Sequence, residues 1–376
     1  MRILEGIPLN SERQVIGRIT ISEDKKGKDN ILVTSSVNSK IIGFRAILTS
    51  SEIESAVARR LKLPVMHSIK GAEILNEGDV VFLDMNRGTI VVEYEKQSSH
   101  NSVLVTNRCN CRCIMCPQPA GEDFPGHTEH NLKIIKLMDK TTEALGITGG
   151  EPTLLGDGLI RILRQCQKYL PNTQIQVLTN GILLKNDEYE RKIRQIGLNN
   201  PIFCVPLYAD TDAEHDYVMQ RNGAFEETIQ GLYNLAANKQ PVEIRVVVMD
   251  LNFRRLPQIA KFIYGNFPFA IHVAFMGMEV EGMARKNVKK LWVSPKEYSP
   301  YLKEAVIYLS QRNMNVSIYN EQLCLLPKDI WNFTSKSISE WKNIYLKECS
   351  NCREKTRCGG FFASPYGEHR AQVRPL

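Results

Sequence analysis

The chain has 376 residues, with 48 Lys and Arg against 41 Asp and Glu, for a formal net charge of +7. This length is sufficient for two or three domains, and so mild and dispersed a charge gives no reason to expect nucleic acid as a partner. The sequence contains no run of about 18 apolar residues, which predicts that no helix spans a membrane. Because the N-terminus lacks the features of a signal peptide and ten cysteines cluster mainly in two places, we predict a cytoplasmic protein that uses cysteine for metal or redox chemistry.

Residues 1–98 are predicted to form a separate β-rich module. Alternating apolar runs predict strands at Val15–Ile21, Ile31–Thr34 and Val80–Asp84. Ser51–Leu61 has the pattern of an amphipathic helix with a serine cap, and Gly78–Tyr94 that of a hairpin. Gln97–Asn101 is the predicted linker. The module contains no catalytic motif, so docking or precursor recognition and plain structural support both remain open.

Residues 99–290 alternate short apolar runs with helical stretches, which predicts an α/β fold with a parallel sheet. The predicted strands are Val103–Thr106, Ala144–Thr148, Gln174–Thr179, Pro201–Leu207, Val242–Met249 and Ala270–Met276. The predicted helices are Leu159–Tyr169, Asp187–Ile196, Phe225–Asn238 and Leu256–Tyr264. Six strand-then-helix units fit this pattern. Periodicity alone does not distinguish a partial barrel from a doubly wound sheet.

Four cysteines follow the first of these strands within eight residues: Cys109, Cys111, Cys113 and Cys116. Thiolates are soft ligands that suit iron-sulfur clusters and zinc. Cys109, Cys113 and Cys116 have the spacing C-x3-C-x2-C, which supplies three ligands where a closed four-iron cluster or a structural zinc ion takes four. We therefore predict an iron-sulfur cluster with one iron open to another ligand, and we expect Cys111 not to be a ligand.

This spacing, on the loop after the first barrel strand, resembles the radical S-adenosylmethionine (SAM) enzymes. The resemblance implies a partial (β/α)6 barrel and a 4Fe-4S cluster held by Cys109, Cys113 and Cys116. It further implies that SAM chelates the open iron. The family usually has an aromatic residue directly before the third cysteine, where this chain has Met115.

Three further segments follow predicted strands, where the functional residues of α/β folds gather. The resemblance implies that Gly149, Gly150, Glu151 and Pro152, after the second strand, form the site for the SAM amino group. Asn180, in Thr-Asn-Gly after the third strand, is implied to lie near SAM, although Asn-Gly is equally typical of a turn. Arg245 is expected either to pair with Glu243 in its own strand or to hold the SAM carboxylate.

Residues 291–376 contain a second group of cysteines: Cys324, Cys349, Cys352 and Cys358. Four thiolates can close a shell around a four-iron cluster or a zinc ion. The spacing C-x2-C-x5-C resembles part of the auxiliary-cluster (SPASM or twitch) domain of peptide-modifying radical SAM enzymes, which implies one second 4Fe-4S cluster, with structural zinc as the alternative. Cys166 and Cys204 are predicted to be small core residues, and His127, His130 and His215 to be loop histidines without a catalytic role.

The chain as a whole resembles the smaller of the paired maturases of the His-Xaa-Ser repeat peptide system. The residues that carry this resemblance include Val273–Glu279 and Cys358–Phe362. It implies reductive cleavage of SAM and use of the 5'-deoxyadenosyl radical on a ribosomally made precursor peptide. The implied partners are that precursor, a second radical SAM maturase, and an electron donor such as flavodoxin or ferredoxin. Radical chemistry on a small molecule or nucleic acid, and a non-catalytic role beside another radical SAM protein, are the alternatives.

Overall fold

The computed structural model describes residues 2–9, 14–38, 40–53, 57, 59–336, 344–362 and 373–376. The chain divides into two compact units. Unit 1 comprises Met1–Val103, Gly126–Leu145 and Arg161–Gln174, and unit 2 comprises Leu104–Pro125, Gly146–Ile160 and Ile175–Leu376. The predicted division into 1–98, 99–290 and 291–376 stays a prediction.

An eight-stranded mixed sheet occupies the N-terminal part of the chain. Its strands are β1 Arg2–Glu5, β2 Ile7–Leu9, β3 Gln14–Thr20, β4 Gly27–Val33, β5 Phe44–Leu48, β6 Val65–His67, β7 Val80–Asp84 and β8 Thr89–Tyr94. The order across the sheet is β1-β8-β7-β3-β4-β5-β6-β2. The pairs from β3 to β6 are parallel and the outer pairs are antiparallel.

The central strands of this sheet are buried on both faces. Ile31 and Leu48 belong to one hydrophobic cluster, whereas their chain neighbours Leu32 and Ile47 belong to another. Because successive side chains of a strand point to opposite faces, the sheet separates two cores. The predicted hairpin of β7 and β8 is confirmed by their antiparallel pairing. The predicted helix at 51–61 lies partly outside the described residues.

The second sheet has eight strands, in the order β16-β15-β14-β13-β12-β11-β10-β9. They are β9 His100–Leu104, β10 Ala144–Thr148, β11 Gln174–Leu178, β12 Pro201–Pro206, β13 Val242–Val248, β14 His272–Gly277, β15 Val316–Tyr319 and β16 Thr334–Ser335. Every pair from β11 to β16 is parallel. Since the order in the sheet is the order in the chain, the strands form an open barrel wall and not a doubly wound sheet, whose order reverses at a switch point.

Helices connect the strands of the second sheet. They are α1 His127–Leu137, α2 Asp157–Tyr169, α3 Asp187–Arg194, α4 Asp212–Met219, α5 Ala224–Ala237, α6 Leu256–Asn266, α7 Gly282–Lys286, α8 Val288–Leu291 and α9 Pro295–Ser310. Apolar residues of β13 show the packing: Val242, Ile244 and Val246 are fully buried, and Glu243 and Arg245 point to the opposite face. None of the helices in the described part of the chain is long and apolar enough to cross a membrane.

The sequence predicted six strands of this sheet and four of the helices that connect its strands. All ten are present within a few residues of the predicted bounds. The prediction of six strand-then-helix units is two strands short, because α9 leads to β15 and β16, which extend the same parallel sheet. The placement of His127, His130 and His215 in loops is wrong. The first two lie on α1 and His215 lies on α4.

Candidate active site

The segment that follows β9 is fixed at its start by a partly buried hydrogen-bond network around Asp123. Thr106 donates from Oγ1 to Oδ2 of Asp123 at 2.7 Å, and the backbone amide of Asn107 donates to Oδ1 at 2.6 Å. The amide of Arg108 donates in turn to Oγ1 of Thr106 at 3.1 Å. These bonds set the direction in which the chain enters the cysteine loop, residues 109–116.

The cysteine loop is held from the other side by α4 and α7. The Ile114 amide donates to the carbonyl of Val218 at 3.0 Å, and Asn287 donates from Nδ2 to the Ile114 carbonyl at 2.8 Å. The Met283 amide donates to the carbonyl of Cys116 at 2.8 Å. Backbone groups of the loop are therefore paired, which leaves its side chains to determine what it binds.

Three thiols of this loop are close neighbours. Cys109, Cys113 and Cys116 are all partly buried. Burial, followed by the charges of Cys116 and Cys109, raises the pKa of the Cys113 thiol to about 12. A hydrogen bond with Cys111 lowers the pKa of Cys109 to about 7. Since thiols this close repel one another as thiolates, a cationic iron centre is the kind of group that stabilises them together. The three side chains fit the ligand set of an iron-sulfur cluster.

Cys111 and Met115 have a different environment. Both are buried and belong to one hydrophobic cluster with Ile182, Tyr208 and Met219. Burial, followed by the charges of the neighbouring cysteines, raises the pKa of Tyr208 well above its ordinary value. Met115, at the position where the family usually has an aromatic residue, is thus a core side chain.

Gly149 and Gly150, after β10, pack directly against the backbone of residues 106–108, the segment that leads into the cysteine loop. The Gly150 amide donates to the Thr106 carbonyl and the Glu151 amide to the Arg108 carbonyl, both at 2.7 Å. A Cβ atom on Gly149 would stand 2.6 Å from the Thr106 oxygen, and one on Gly150 would stand 2.2 Å from the Arg108 oxygen. Glycine is required at both positions because a side chain would clash with the neighbouring backbone. Neither residue has a positive φ, so the backbone conformation is not the reason for glycine here.

The Glu151 side chain joins two of the predicted segments. Only 1% of the residue is exposed. Its Oε1 accepts from the Thr153 amide at 3.0 Å and from the hydroxyls of Thr153 and Thr179 at 2.6 Å each, and Oε2 accepts from the Asn180 amide at 2.7 Å. Burial raises the pKa of Glu151 although these four bonds oppose the shift. Pro152 begins the 3-10 turn Pro152–Leu155 that Glu151 caps, in agreement with a backbone-shaping role.

Asn180 connects the turn after β11 to the cysteine loop. It donates from Nδ2 to Oδ1 of Asn110 at 2.7 Å, and it lies 3.6 Å from the sulfur of Cys111. Its Oδ1 accepts from the Ile182 amide at 3.1 Å, as in an Asx-type turn. The predicted turn and a position beside the cysteine loop are therefore both present.

Arg245 is paired with Glu243, which is one of the two alternatives predicted for this residue. The Arg245 Nε donates to Glu243 Oε1 at 2.6 Å. His272 bridges two side chains: its Nδ1 lies 2.7 Å from Glu243 Oε2, and its Nε2 lies 2.9 Å from the hydroxyl of Ser317. Burial opposes ionisation of Glu243, but the His272 hydrogen bond and the charge of Arg245 outweigh it and lower the pKa to about 2. The polar face of β13 to β15 thus carries an ionic network.

The four C-terminal cysteines line one cavity. Cys324, Cys349, Cys352 and Cys358 surround about 360 Å³ of space that no protein atom fills, part of it open to solvent. The Cys358 sulfur accepts from the Gly360 amide at 3.5 Å, and the Cys352 sulfur accepts from the Leu376 amide at 3.4 Å. Amide donors to sulfur are a feature of iron-sulfur sites.

In the described part of the chain, no three His, Cys, Asp or Glu side chains converge on the position of a single metal ion. Structural zinc requires four ligands at about 2.0–2.3 Å from one point. In a four-iron cluster each thiolate binds a separate iron atom, so its ligands need not converge on one point. The assignment of either group of cysteines to a cluster or to a zinc ion stays a prediction.

His130 and His215, two of the three histidines considered, pack against aromatic side chains. His130 contacts Glu93 Oε1 at 3.2 Å and packs edge-on against Phe82. His215 is fully buried between Tyr208 and Phe225, and burial lowers its pKa to about 4.

Two structural features have no clear signal in the sequence. Asp123 anchors the cysteine loop but belongs to no motif, and only its acidity in a Gly- and Pro-rich loop set it apart. Tyr298 and Glu321 form a buried pair after β14 and β15, and no local pattern marks either residue.

The comparisons with known proteins agree with this geometry. The family model described as "Radical SAM superfamily" matches residues 103–263. The GTP 3',8-cyclase of Petrotoga mobilis is 31% identical over 168 residues, which cover 43% of this chain and 50% of the relative. That of Peptoclostridium acidaminophilum is 27% identical over 219 residues, or 55% of this chain and 62% of the relative. The chain thus spans about half to three fifths of the length of these relatives.

The crystal structure of Streptococcus suis SuiB is similar with a TM-score of 0.50 and 16% sequence identity, covering 65% of this chain and 54% of that one. At this identity the similarity concerns the fold alone. Residues 103–263 are therefore similar in sequence to the radical SAM superfamily, and the parallel sheet agrees with this similarity in fold. The radical SAM fold binds a 4Fe-4S cluster and SAM, and members of the superfamily are enzymes.

Proposed function

We propose that the chain is a radical SAM enzyme that modifies a ribosomally made peptide of the His-Xaa-Ser type. The observation that best supports the proposal of radical SAM chemistry is the contact between three loops. The cysteine loop, Gly149–Pro152 and the turn at Asn180 follow successive strands and are joined by hydrogen bonds. Such a junction presents three thiols and two polar turns to one place.

Cys109, Cys113 and Cys116 are the proposed ligands of the SAM-binding cluster. When bound, the cluster and SAM supply reductive cleavage of SAM to methionine and a 5'-deoxyadenosyl radical, which abstracts hydrogen from an unactivated carbon. The protein contributes placement and exclusion of water. The cluster of Cys111, Met115 and Tyr208 excludes water from one side of the thiols.

The proposed SAM site comprises Gly149, Gly150, Glu151, Pro152, Asn180 and Arg245. Glu151 already accepts four protein hydrogen bonds, so we assign it mainly to holding the backbone of Gly149 and Gly150 in place. One position of its Oε2 atom remains for a donor from the ligand. Arg245 retains guanidinium donors beyond the one that binds Glu243, which suits a carboxylate ligand.

Cys324, Cys349, Cys352 and Cys358 are the proposed ligands of a second 4Fe-4S cluster. The shared cavity and the two amide-to-sulfur hydrogen bonds support this assignment. A second cluster in this place would accept the electron released when a substrate radical is oxidised, or would stabilise the fold around it. A flavodoxin or ferredoxin is the proposed electron donor, and a second radical SAM maturase the proposed partner.

The proposal of a peptide substrate rests on the resemblance of the chain to the maturases of the His-Xaa-Ser system. A second candidate is chemistry on a nucleotide, which the curated relatives favour because both are named GTP 3',8-cyclase. Those relatives match only part of the chain, and the C-terminal cysteine cavity lies beyond the 103–263 domain. We therefore place the peptide first.

The test uses the full chain, purified anaerobically and reconstituted with iron and sulfide. Dithionite and SAM are added with either a His-Xaa-Ser repeat precursor or GTP, each with and without the candidate partner maturase. We expect 5'-deoxyadenosine and a mass change of the peptide. Deoxyadenosine and a nucleotide product with GTP alone would select the second candidate. No deoxyadenosine with either substrate, while spectroscopy shows the first cluster intact, would contradict the enzyme assignment.

A further inference from the structure

Glu321 is a buried carboxyl group at the carboxyl ends of three parallel strands. It follows β15, and 2% of the residue is exposed. The hydroxyl of Tyr298, which is 3% exposed, donates to Oε1 of Glu321. The Oε2 atom has no hydrogen-bond partner and is inaccessible to solvent. In α/β folds this edge of the sheet is where substrates bind.

A cavity opens beside this carboxyl group. It encloses about 480 Å³ of space that no protein atom fills, part of it open to solvent. Its walls include Val248 and Gly277, at the ends of β13 and β14. They also include the aromatic side chains of Trp292, Tyr298 and Phe361. Concave, mainly apolar pockets with a few polar groups are typical of ligand sites.

Gly277 leaves room for the carboxyl group of Glu321 because it has no side chain. A Cβ atom on Gly277 would stand 2.3 Å from Oε1 of Glu321, so any larger residue there would displace the side chain. No described residue that lines the cavity is Lys, Arg or His. A buried carboxylate without a cation is costly, and burial raises the pKa of Glu321 to about 8. At pH 7 the free group is therefore mainly protonated, and a ligand that brings a positive charge would favour its ionisation, with release of the proton to solvent.

We infer that the Glu321 cavity binds a cationic nitrogen group of the substrate, an ammonium, guanidinium or imidazolium, with Oε2 as its counter-ion and acceptor. The aromatic walls suit such a group because the face of an aromatic ring attracts a cation. The inference rests on the proposed function, since the group would belong to the peptide. It goes further by naming the substrate chemistry and the residue that selects it.

The first experiment measures binding and requires no SAM chemistry. Ligand-observed NMR on the reconstituted full chain at pH 7 would compare n-butylammonium and 4-methylimidazole with the neutral n-butanol. We expect both nitrogen probes to bind at least tenfold more weakly to Glu321→Gln than to wild type, and n-butanol to bind both equally. Glu297→Gln, at an exposed position on the first turn of α9, is the matched control and should not alter binding.

Equal affinity of the nitrogen probes for wild type and Glu321→Gln would overturn the inference, as would no binding to folded wild type. Circular dichroism and iron content verify that each variant is folded. Tyr298→Phe provides a second test, because it keeps the carboxyl group and removes the hydrogen bond to Oε1 that lowers the pKa of Glu321; it should bind the cations more weakly than wild type. Tighter binding to folded Tyr298→Phe would also count against the inference.

Turnover then separates the two proposals. With a peptide substrate, Glu321→Gln should raise KM at least tenfold, while Glu297→Gln, at its exposed position, should leave KM unchanged. If the probes bind as expected but no deoxyadenosine forms, the proposed function fails and the cation site stands. If deoxyadenosine and modified peptide form with unchanged KM in Glu321→Gln, the cation site fails and the function stands.

Discussion

Asn180 donates a hydrogen bond to the side chain of Asn110 at 2.7 Å, so the turn after β11 is bound directly to the loop that carries the cysteines. The backbone amide of the same Asn180 donates to Glu151. Three loops that are far apart in the chain are therefore coupled through two side chains. A change in any one of them should be felt at the thiols.

Gly150→Ala should disrupt the cysteine loop. The new Cβ atom would stand 2.2 Å from the Arg108 carbonyl oxygen, and backbone atoms cannot yield as a flexible side chain can. We expect the variant to bind less iron at the first cluster and to lose deoxyadenosine formation. Gly265→Ala is the control, because nothing lies within 4 Å of its Cβ position on α6; it should be neutral or slightly stabilising. Wild-type iron content and activity in Gly150→Ala would contradict the expectation.

Glu151→Gln should lower stability by about 1–3 kcal/mol, because its amide group would face the Asn180 amide and leave a buried donor unpaired. Urea unfolding of the anaerobic protein measures the loss. Glu188→Gln changes an exposed ion pair with Lys192 and should cost less than about 1 kcal/mol. A Glu151 variant as stable as this control would mean that the network around Glu151 contributes nothing.

Cys113→Ala should abolish deoxyadenosine formation and remove about half of the bound iron, with the remainder held by the C-terminal cysteines. Iron analysis and visible absorption measure this directly. Cys166→Ala, at a fully buried position on α2, should retain both clusters. Retained activity in Cys113→Ala would refute its assignment as a ligand.

The ion pair of Glu243 and Arg245 should stabilise the protein above the ordinary pKa of a glutamate and lose that effect in acid. The folded-state pKa of Glu243 is about 2 against 4.5, so its contribution, about 3 kcal/mol, is complete above pH 4.5 and disappears as the pH falls toward 2. Wild type should exceed Glu243→Gln in stability at pH 7, and the difference should shrink below pH 4.5. Urea unfolding over this range tests it, with the exposed Glu129→Gln as a control whose difference should stay small.

Glu321 should show the opposite dependence on pH. Its folded-state pKa is raised to about 8, so its contribution is complete below pH 4.5 and is lost as the pH rises toward 8. Glu321→Gln should therefore gain stability relative to wild type over that interval, by on the order of 4 kcal/mol. Thermal melts at several pH values measure the gain, and a difference that does not vary with pH would exclude a protonated Glu321.

The regular strands were predictable because their apolar runs are bounded by turn residues. Val80–Asp84 and Ala144–Thr148 have the predicted bounds. Five of the nine helices in the described part of the chain were not predicted, and two of these omissions have identifiable reasons. The Gly126 that precedes α1 makes no side-chain capping bond, so the usual start signal is absent, and α9 contains Pro300, which reads as a helix break.

The candidate site was predictable in its motifs but not in its connections. Cysteine spacing identified the loop, because ligands on a short segment leave a local signature. Glu151 and Thr179, by contrast, meet across 28 residues, and Glu321 and Tyr298 across 23. Contacts of this kind depend on the order of strands in the sheet, which a single sequence does not specify.

The cysteine loop depends on partners that the ribosome delivers much later. Asn287, which holds the Ile114 carbonyl, follows it by 173 residues, and Val218 and Met283 are also distant in the chain. A nascent chain that has just exposed its first cysteines thus lacks the groups that shape the loop. The native geometry of the loop therefore requires the chain to have been synthesised at least to Asn287.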